Sequence, residues 1–308
     1  MGVRIPLGPF NLKKFKMKRN KELELSIIIP TLNEEKVVPR LLNSLKSNLK
    51  NINAEILLID AHSKDRTVAK ARKIGLRKLR VFLPGKKGQS YQRNYGAWKA
   101  RAPLLLFLDA DIILPQGFLD KILKEFIERN LDAAACYAVC KGALWEKFCH
   151  EVIGNSWLHF FEKWKPYAQC CFFMKREIHD KIGGFDERLF FGEDSEYVER
   201  AVKKGKARFG ILKSGKFIIS SRGFKKYGRL AHSAAFTYLN LYRLIVGERR
   251  RKGESTSELY EKFKKGTEPK EVGKKIKKEF LKATEYNRTL KVSKNKPNYL
   301  LYQPVYKK

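Results

Sequence analysis

The stretch LLLFLDADI, residues 104–112, places two aspartates directly after an unbroken apolar run. Such a run is typical of a strand that is covered on both faces of a parallel sheet. Asp109 and Asp111 are two residues apart, so on an extended backbone their side chains point the same way. Two converging carboxylates favour a hard divalent cation that also holds phosphate oxygens. Alternatively, one aspartate caps the following helix, in whose first turn Pro115 would lie.

Around this stretch, short β-rich runs alternate with helical stretches, which predicts an α/β domain with a mostly parallel sheet. The part after Asp111 is more α+β in character. The predicted strands are Leu25–Pro30, Glu55–Asp60, Leu79–Leu83, Pro103–Asp109 and Gln169–Met174. The predicted helices are Glu34–Lys50, Lys64–Ile74, Gly88–Arg101, Gln116–Arg129, Leu144–Trp164 and Asp194–Lys204. The expected helix start signals are Asn33, then Ser63 with Asp65, then Gly88.

Composition narrows the class of protein. The chain has 308 residues, of which 43% are hydrophobic, and this suffices for a sizeable core. Its five cysteines lack a short-spaced even framework, which excludes a disulfide scaffold and suits a reducing compartment. The 66 Lys and Arg exceed the 32 Asp and Glu, for a net charge of +34. Such a charge draws the protein to nucleic acid, anionic lipid headgroups or a phosphorylated substrate.

We expect three parts: a basic N-terminal arm (1–24), an α/β body (25–228) and a basic helical extension (229–308). The arm lacks the features of a signal peptide, and the apolar run Leu230–Val246 is too short and too polar to span a membrane. That run is followed by the basic residues 249–252, so it is either an in-plane membrane helix or a core helix with a solvated basic end. These features predict a cytoplasmic protein, with peripheral attachment to the cytoplasmic face of the membrane as one option.

Five segments, in this order, resemble the family 2 glycosyltransferases. They are SIIIPTLNEE (26–35), LLIDAHSKDRT (57–67), GQSYQRNYGAWKA (88–100), FLDADI (107–112) and GGFDERLFFGEDSEYVERA (183–201). The resemblance spans about Leu25 to Arg222. It implies a GT-A fold, which is a Rossmann-like nucleotide-binding domain with a mixed central sheet. It also implies inverting transfer of a sugar from a nucleotide-sugar donor.

The resemblance also implies roles for single residues at the donor site. Asp109 and Asp111 match the pair that holds the donor diphosphate with Mg²⁺ or Mn²⁺, Asp60 matches the carboxylate that reads the base, and Arg93 matches a basic position near the nucleotide. The loop that cradles the nucleoside is matched by Pro30, Thr31, Asn33 and Glu34. The usual Asp-Gly-Ser after the second strand is Asp60-Ala61-His62-Ser63 here.

On the acceptor side, Glu193 and Asp194 match the family's acidic pair, with Asp194 as general base. Both are also suited to an acidic helix N-terminus. If the acceptor is a lipid phosphate, which is already ionised, Asp194 would orient it instead of removing a proton. Arg222 is either a cationic lid over the diphosphate or part of a basic surface loop.

The expected function is therefore metal-dependent transfer of a sugar to a hydroxyl or lipid-phosphate acceptor, carried by an unknown glycan, lipid or protein. An anionic membrane surface is an expected partner, and nucleic acid is not. The alternative is a polyanion-binding protein with a non-catalytic transferase-like fold. That alternative would leave the five ordered segments unexplained, and the sequence has no recognisable nucleic-acid motif.

Overall fold

The computed structural model describes residues 23–142, 162, 166–189 and 192–220. These fall in two compact units: 186–189 and 192–193 belong to one, and all the other described residues to the other. The strands are β1 (Leu25–Thr31), β2 (Ala54–Asp60), β3 (Leu79–Phe82), β4 (Leu104–Leu108), β5 (Ile112–Ile113), β6 (Ala133–Lys141), β7 (Cys171–Lys175) and β8 (Phe209–Ser220). The helices are α1 (Val38–Asn48), α2 (Thr67–Lys73), α3 (Gln89–Lys99), α4 (Phe118–Glu128), α5 (Arg176–Ile182) and α6 (Glu193–Lys203).

The eight strands form one mixed sheet in the order β3-β2-β1-β4-β7-β6-β8-β5. The first four strands in this order run parallel, and β7 lies antiparallel to both β4 and β6. Leu25 pairs with both Ala54 and Leu104, so β1, β2 and β4 are in step. Their carboxyl ends therefore meet at one edge of the sheet, where open α/β sheets bind ligands.

Both faces of the strands β1, β2 and β4 are buried, as their continuous apolar sequences require. In β1, Ile27 and Ile29 pack in the core layer that contains α1 and α4, whereas Ile28 packs in the opposite layer. Helix α4 contributes its buried residues at helical spacing, since Phe118, Ile122 and Phe126 lie on one side. The alternation along the strand and the periodicity of the helices together produce the two cores.

Helix α3 lies unusually close to the sheet because Gly96 has no side chain. A Cβ at this position would lie 2.4 Å from Cγ2 of Ile28, closer than real atoms approach. On the same side of the helix, Gln92 Nε2 donates to the backbone oxygens of Ile59 (2.6 Å) and Thr31 (3.0 Å). The close packing thus anchors α3 against the carboxyl ends of β1 and β2.

The predicted elements within the described residues form with small shifts, but one helix start is wrong. The first helix begins at Val38, not at Glu34, because residues 32–37 form a bend and a turn. Strands β5, β6 and β8 and helix α5 were not predicted from the sequence. No helix in the described part of the chain is long and apolar enough to cross a membrane.

Several sequence predictions fall outside the described residues. They are the helix Leu144–Trp164 apart from Glu162, the apolar run Leu230–Val246, and Arg222. The same holds for nearly all of the arm (1–24) and for the extension (229–308). The three-part division of the chain therefore stays a prediction.

Candidate active site

Asp109 and Asp111 lie at the carboxyl end of β4, as predicted, but not on an extended strand. The strand ends at Leu108, and residues 110–111 form a turn before β5. The backbone N–H of Asp109 donates to the carbonyl of Cys170 at 2.9 Å, which closes this turn against the start of β7. A turn and not a strand therefore holds the two carboxylates, so the prediction that a two-residue strand repeat aims them the same way is wrong.

Arg93 of α3 joins the two acidic positions that the sequence predicted for separate roles. Its Nη2 lies 2.9 Å from Oδ1 of Asp109, and its Nη1 donates to Oδ1 of Asp194. The Arg93 side chain is only 1% exposed, whereas those of Asp109 and Asp194 are 22% and 15% exposed. The guanidinium also lies over the Phe172 and Phe185 rings, 5.7 and 5.4 Å from their centroids. Arg93 is thus a buried cation that bonds two partly exposed carboxylates.

Two further residues, Gln89 and Cys170, belong to this cluster, although the sequence did not predict them as site residues. Gln89 Nε2 donates to Oδ1 of Asp109 at 3.0 Å. Burial raises the pKa of the Cys170 thiol, and the nearby charges of Asp109, Asp111 and Asp194 raise it further. The Cys170 thiol is therefore held in its neutral form. The signals were available, since Gln89 lies in the segment GQSYQRN (88–94) and Cys170 lies in the predicted strand Gln169–Met174.

Asp60 lies at the carboxyl end of β2 and is fully buried. Its Oδ2 accepts hydrogen bonds from the Thr31 hydroxyl (2.9 Å) and the Ser63 hydroxyl (2.6 Å), and its Oδ1 accepts one from the Ser63 backbone N–H (2.8 Å). These bonds tie the end of β1 to the loop after β2. A nucleotide base would have to use the acceptor capacity that remains on Oδ1.

Hydrogen bonds join the loop after β1 to the loop after β2. The backbone N–H of Asn33 donates to the Ser63 hydroxyl (2.7 Å), and Asn33 Oδ1 accepts from the backbone N–H of Lys64 (2.8 Å). The backbone N–H of Glu34 donates to the Thr67 hydroxyl (2.8 Å). Asn33 and Ser63 were expected to start helices. Instead, they link these loops, while α1 and α2 begin without a side-chain cap.

His62 occupies a position that the family usually gives to a small residue, and its backbone has a φ of +59°. Its Nε2 lies 2.9 Å from the carbonyl oxygen of Pro84, which precedes α3. This contact connects the loop after β2 with the loop that leads to Gln89.

The remaining predicted residues lie as follows. Pro30 is buried in β1, and Glu193 is the first residue of α6, directly before Asp194. The structure thus brings the residues after β1, β2 and β4 to one sheet edge and links Asp194 to Asp109. Arg222 lies outside the described residues.

A divalent cation fits the carboxylates of this edge. The described residues contain no group of three or more His, Cys, Asp or Glu that could hold a metal by themselves. Magnesium is typically bound by one or two carboxylates plus substrate phosphates and water. Asp109 and Asp111 supply two partly exposed carboxylates at the end of β4. The chemistry of this donor set suits a cation that arrives with a diphosphate.

Residues 26–183 match the family model of glycosyl transferase family 2. A dolichol-phosphate mannosyltransferase from Pyrococcus furiosus is 30% identical over 245 residues, which are 73% of this chain and 65% of that protein. A 4,4'-diaponeurosporenoate glycosyltransferase from Staphylococcus haemolyticus is 36% identical over 126 residues, which are 39% of this chain and 33% of that protein. The chain belongs to glycosyltransferase family 2, but it spans less than two thirds of these relatives.

Solved structures support the fold. The mannosyltransferase PcManGT from Pyrobaculum calidifontis, in complex with GDP-Man and Mn²⁺, has a TM-score of 0.57 at 16% identity, with 75% of this chain and 65% of that chain covered. TarS 1–349 from S. aureus, in complex with UDP-GlcNAc, has a TM-score of 0.52 at 21% identity, with 71% of this chain and 67% of that chain covered. The predicted fold class, a GT-A type domain with a mixed central sheet, is confirmed.

Proposed function

We propose that this protein is a metal-dependent, inverting glycosyltransferase that moves a sugar from a nucleotide-sugar donor to a hydroxyl or lipid-phosphate acceptor. One observation carries the proposal. Arg93 bonds both Asp109, the proposed donor-side carboxylate, and Asp194, the proposed acceptor-side base. The residue proposed to bind the donor and the residue proposed to deprotonate the acceptor are thus held by one buried guanidinium, that of Arg93. The nucleic-acid alternative leaves this arrangement without a purpose, and we do not retain it.

The donor side of the proposed site combines two cross-linked loops and the end of β4. The loop that contains Thr31, Asn33 and Glu34 holds the nucleoside, and Asp60 contributes its remaining acceptor to the base. Asp109 and Asp111 would hold Mg²⁺ or Mn²⁺, and the ion would supply Lewis-acid stabilisation of the leaving nucleoside diphosphate. Gln89 and Arg93 orient Asp109 through its Oδ1.

On the acceptor side, Asp194 accepts the proton that a sugar or lipid hydroxyl loses as it attacks. Arg93 fixes the position of this carboxylate by donating a hydrogen bond to its Oδ1. One displacement on the face opposite the leaving group inverts the anomeric centre, so no covalent nucleophile is required. If the acceptor is a lipid phosphate, Asp194 orients the acceptor and removes no proton.

The names of two relatives support a lipid acceptor. The Pyrococcus protein is named for dolichol phosphate, and the Staphylococcus protein for a diaponeurosporenoate. The net charge of +34 favours residence at an anionic bilayer. We therefore propose peripheral attachment on the cytoplasmic face, where nucleotide-sugars are available.

The test is turnover of nucleotide-sugars by the full chain, with Mn²⁺ or Mg²⁺ and with an alkyl alcohol or a polyprenyl phosphate as acceptor. The release of nucleoside diphosphate measures transfer, and NMR of the product gives its anomeric configuration. An α-configured donor should yield a β-linked product. An α-linked product would refute inversion, and equal turnover after EDTA treatment would refute the need for a metal.

A further inference from the structure

The outer side of α3 and the edge strand β3 carry a surface that the proposed active site does not use. The rings of Tyr91, Tyr95 and Trp98 follow one another along α3, with centroid separations of 6.3 and 5.6 Å. The Phe82 ring of β3 lies 6.0 Å from that of Tyr95. Basic and apolar side chains surround these rings. We define the α3 outer face as Phe82, Leu83, Lys86, Lys87, Tyr91, Tyr95, Trp98 and Lys99.

Part of this face is apolar and open to solvent. Trp98 is 47% exposed and Leu83 is 53% exposed. A single exposed apolar residue is ordinary, but here Trp98 continues a row of neighbouring rings. An exposed apolar patch beside charged side chains is typical of an interaction site.

The face also carries charge of one sign. From Arg66 to Leu108 the sequence has no Asp or Glu. The basic residues of this segment are Arg66, Lys70, Arg72, Lys73, Arg77, Lys78, Arg80, Lys86, Lys87, Arg93, Lys99 and Arg101. The neighbouring Glu55 of β2 is fully buried, where it pairs with Arg80 and Arg101. The α3 outer face is therefore positive and complements an anionic surface.

We propose that the α3 outer face docks on an anionic lipid bilayer. Trp and Tyr rings settle at the level of the headgroups, and an exposed Leu beside them enters the boundary with the acyl chains. Lysines at the same face contact the anionic headgroups. Lys86, Lys87, Trp98 and Leu83 supply these groups on one helix and the loop that precedes it.

The ring geometry favours lipid over nucleic acid or a protein partner. Lys99 Nζ lies 3.7 Å from the Trp98 centroid, Lys86 Nζ lies 5.2 Å from that of Tyr91, and Arg80 lies 4.9 Å from that of Phe82. The chain's own cations thus cover ring faces that base stacking would require. Lysine is also depleted at the centres of protein–protein interfaces.

This inference rests on the proposed function in one respect, namely that the acceptor is carried by a lipid. Gln89 and Arg93 lie on the opposite side of α3, where they bond Asp109. A helix with its side chains is about 10–12 Å across, so docking through the outer face brings the bilayer within about that distance of the candidate site. An acceptor that stays in the bilayer could then reach the donor without leaving it completely.

The experiment measures sedimentation of the full chain with vesicles of phosphatidylcholine, with or without about 30% phosphatidylglycerol as the anionic component. We expect binding to the anionic vesicles alone. Lys86→Glu with Lys87→Glu should weaken it about 30-fold, and Trp98→Ser should weaken it further. The matched control, Lys121→Glu with Lys124→Glu on exposed positions of α4, changes the net charge equally and should stay close to the original affinity.

Three results would overturn the proposal. The first is that the protein does not bind anionic vesicles. The second is that the Lys86/Lys87 variant binds them as tightly as the wild type. The third is that both double variants lose the same affinity for vesicles, which would mean that only the net charge matters. Competition with a single-stranded oligonucleotide identifies a nucleic-acid surface if only oligonucleotide binding depends on Lys86 and Lys87. Donor binding, measured without vesicles, reports on the proposed transferase function separately. Its failure would leave a positive vesicle result standing.

Discussion

The guanidinium Nη2 of Arg93 lies 2.9 Å from Oδ1 of Asp109. The other terminal nitrogen of the same buried side chain donates to Asp194. One cation therefore fixes the carboxylate after β4 relative to the carboxylate near the start of α6. The proposed donor and acceptor functions share this one side chain, so the position of Arg93 affects both.

Arg93→Ala should destabilise the fold by about 3 kcal/mol, because removal of one partner of a buried ion pair leaves charges that lack compensation. The partial exposure of Asp109 and Asp194 keeps the cost at the low end of the range for such pairs. Urea unfolding measures it. Lys124→Ala is the contrast, since Lys124 and Glu128 are both over 60% exposed and their pair should contribute less than about 1 kcal/mol. Similar costs for both variants would contradict the account.

Gly96→Ala should cost about 1–3 kcal/mol, because the added methyl group collides with Ile28 and forces α3 away from the sheet. Gly85→Ala is the matched control, since a Cβ there meets nothing within 4 Å. Its effect should stay within about 0.5 kcal/mol. Thermal unfolding of the two variants compares them directly. An unchanged midpoint for Gly96→Ala would show that the close approach of α3 is not required.

His179 should make stability depend on pH. Burial, together with the smaller effect of the charges of Arg176 and Arg200, lowers its pKa from 6.5 to about 3. Between these values the unfolded chain binds a proton that the folded chain does not, so stability falls as the pH drops below about 6.5. The slope from this group approaches about 1.4 kcal/mol per pH unit.

The measurement is urea unfolding of the wild type and of His179→Asn at several pH values between 7 and 5. This range lies above the ordinary titration of carboxylates. The wild type should lose more stability across it, with a difference that corresponds to one proton. Parallel pH profiles would mean that His179 is not kept neutral by the fold.

Asp194→Asn should bind donor normally but transfer sugar to a hydroxyl acceptor about 100-fold more slowly or worse, because an amide cannot accept the proton. Calorimetry measures donor binding, and product formation measures transfer. Glu199→Gln, on the same helix and paired with Lys203, is the control and should keep full activity. Full transfer to a hydroxyl acceptor by Asp194→Asn would exclude the base role, whereas a loss limited to hydroxyl acceptors would separate the two acceptor classes.

The sequence predicted best where the physical signal was local. Strands β1, β2 and β4 are continuous apolar runs, and their polar ends mark the sheet edge. Strand β6 was missed because Ala133–Ala135 and Cys136 have little strand preference. Strand β8 was missed because residues 213–215 resemble a turn, and the register indeed shifts there, from Leu212 opposite Cys136 to Lys216 opposite Tyr137.

The sequence predicted which residues would form the site, but not the contacts between them. The motifs predicted Asp60, Asp109 and Asp194 as site residues, yet nothing local shows that the buried Arg93 bonds two of them. That contact depends on the rotation and depth of α3, which Gly96 sets through its contact with Ile28. Likewise, Ser63 has the composition of a helix cap, but the tertiary structure uses its hydroxyl for Asp60 and Asn33.

The most direct test is calorimetric binding of nucleoside diphosphates and their sugars (UDP, GDP, dTDP and ADP forms, with CMP forms for comparison), each with and without Mn²⁺ or Mg²⁺. Wild-type protein and Asp111→Ala are compared, with Glu128→Gln on exposed α4 as control. The account predicts metal-dependent preference for one base that Asp111→Ala loses and Glu128→Gln retains. Binding that ignores base and metal but falls steeply with salt would contradict it, because only the net charge of the protein would then be responsible.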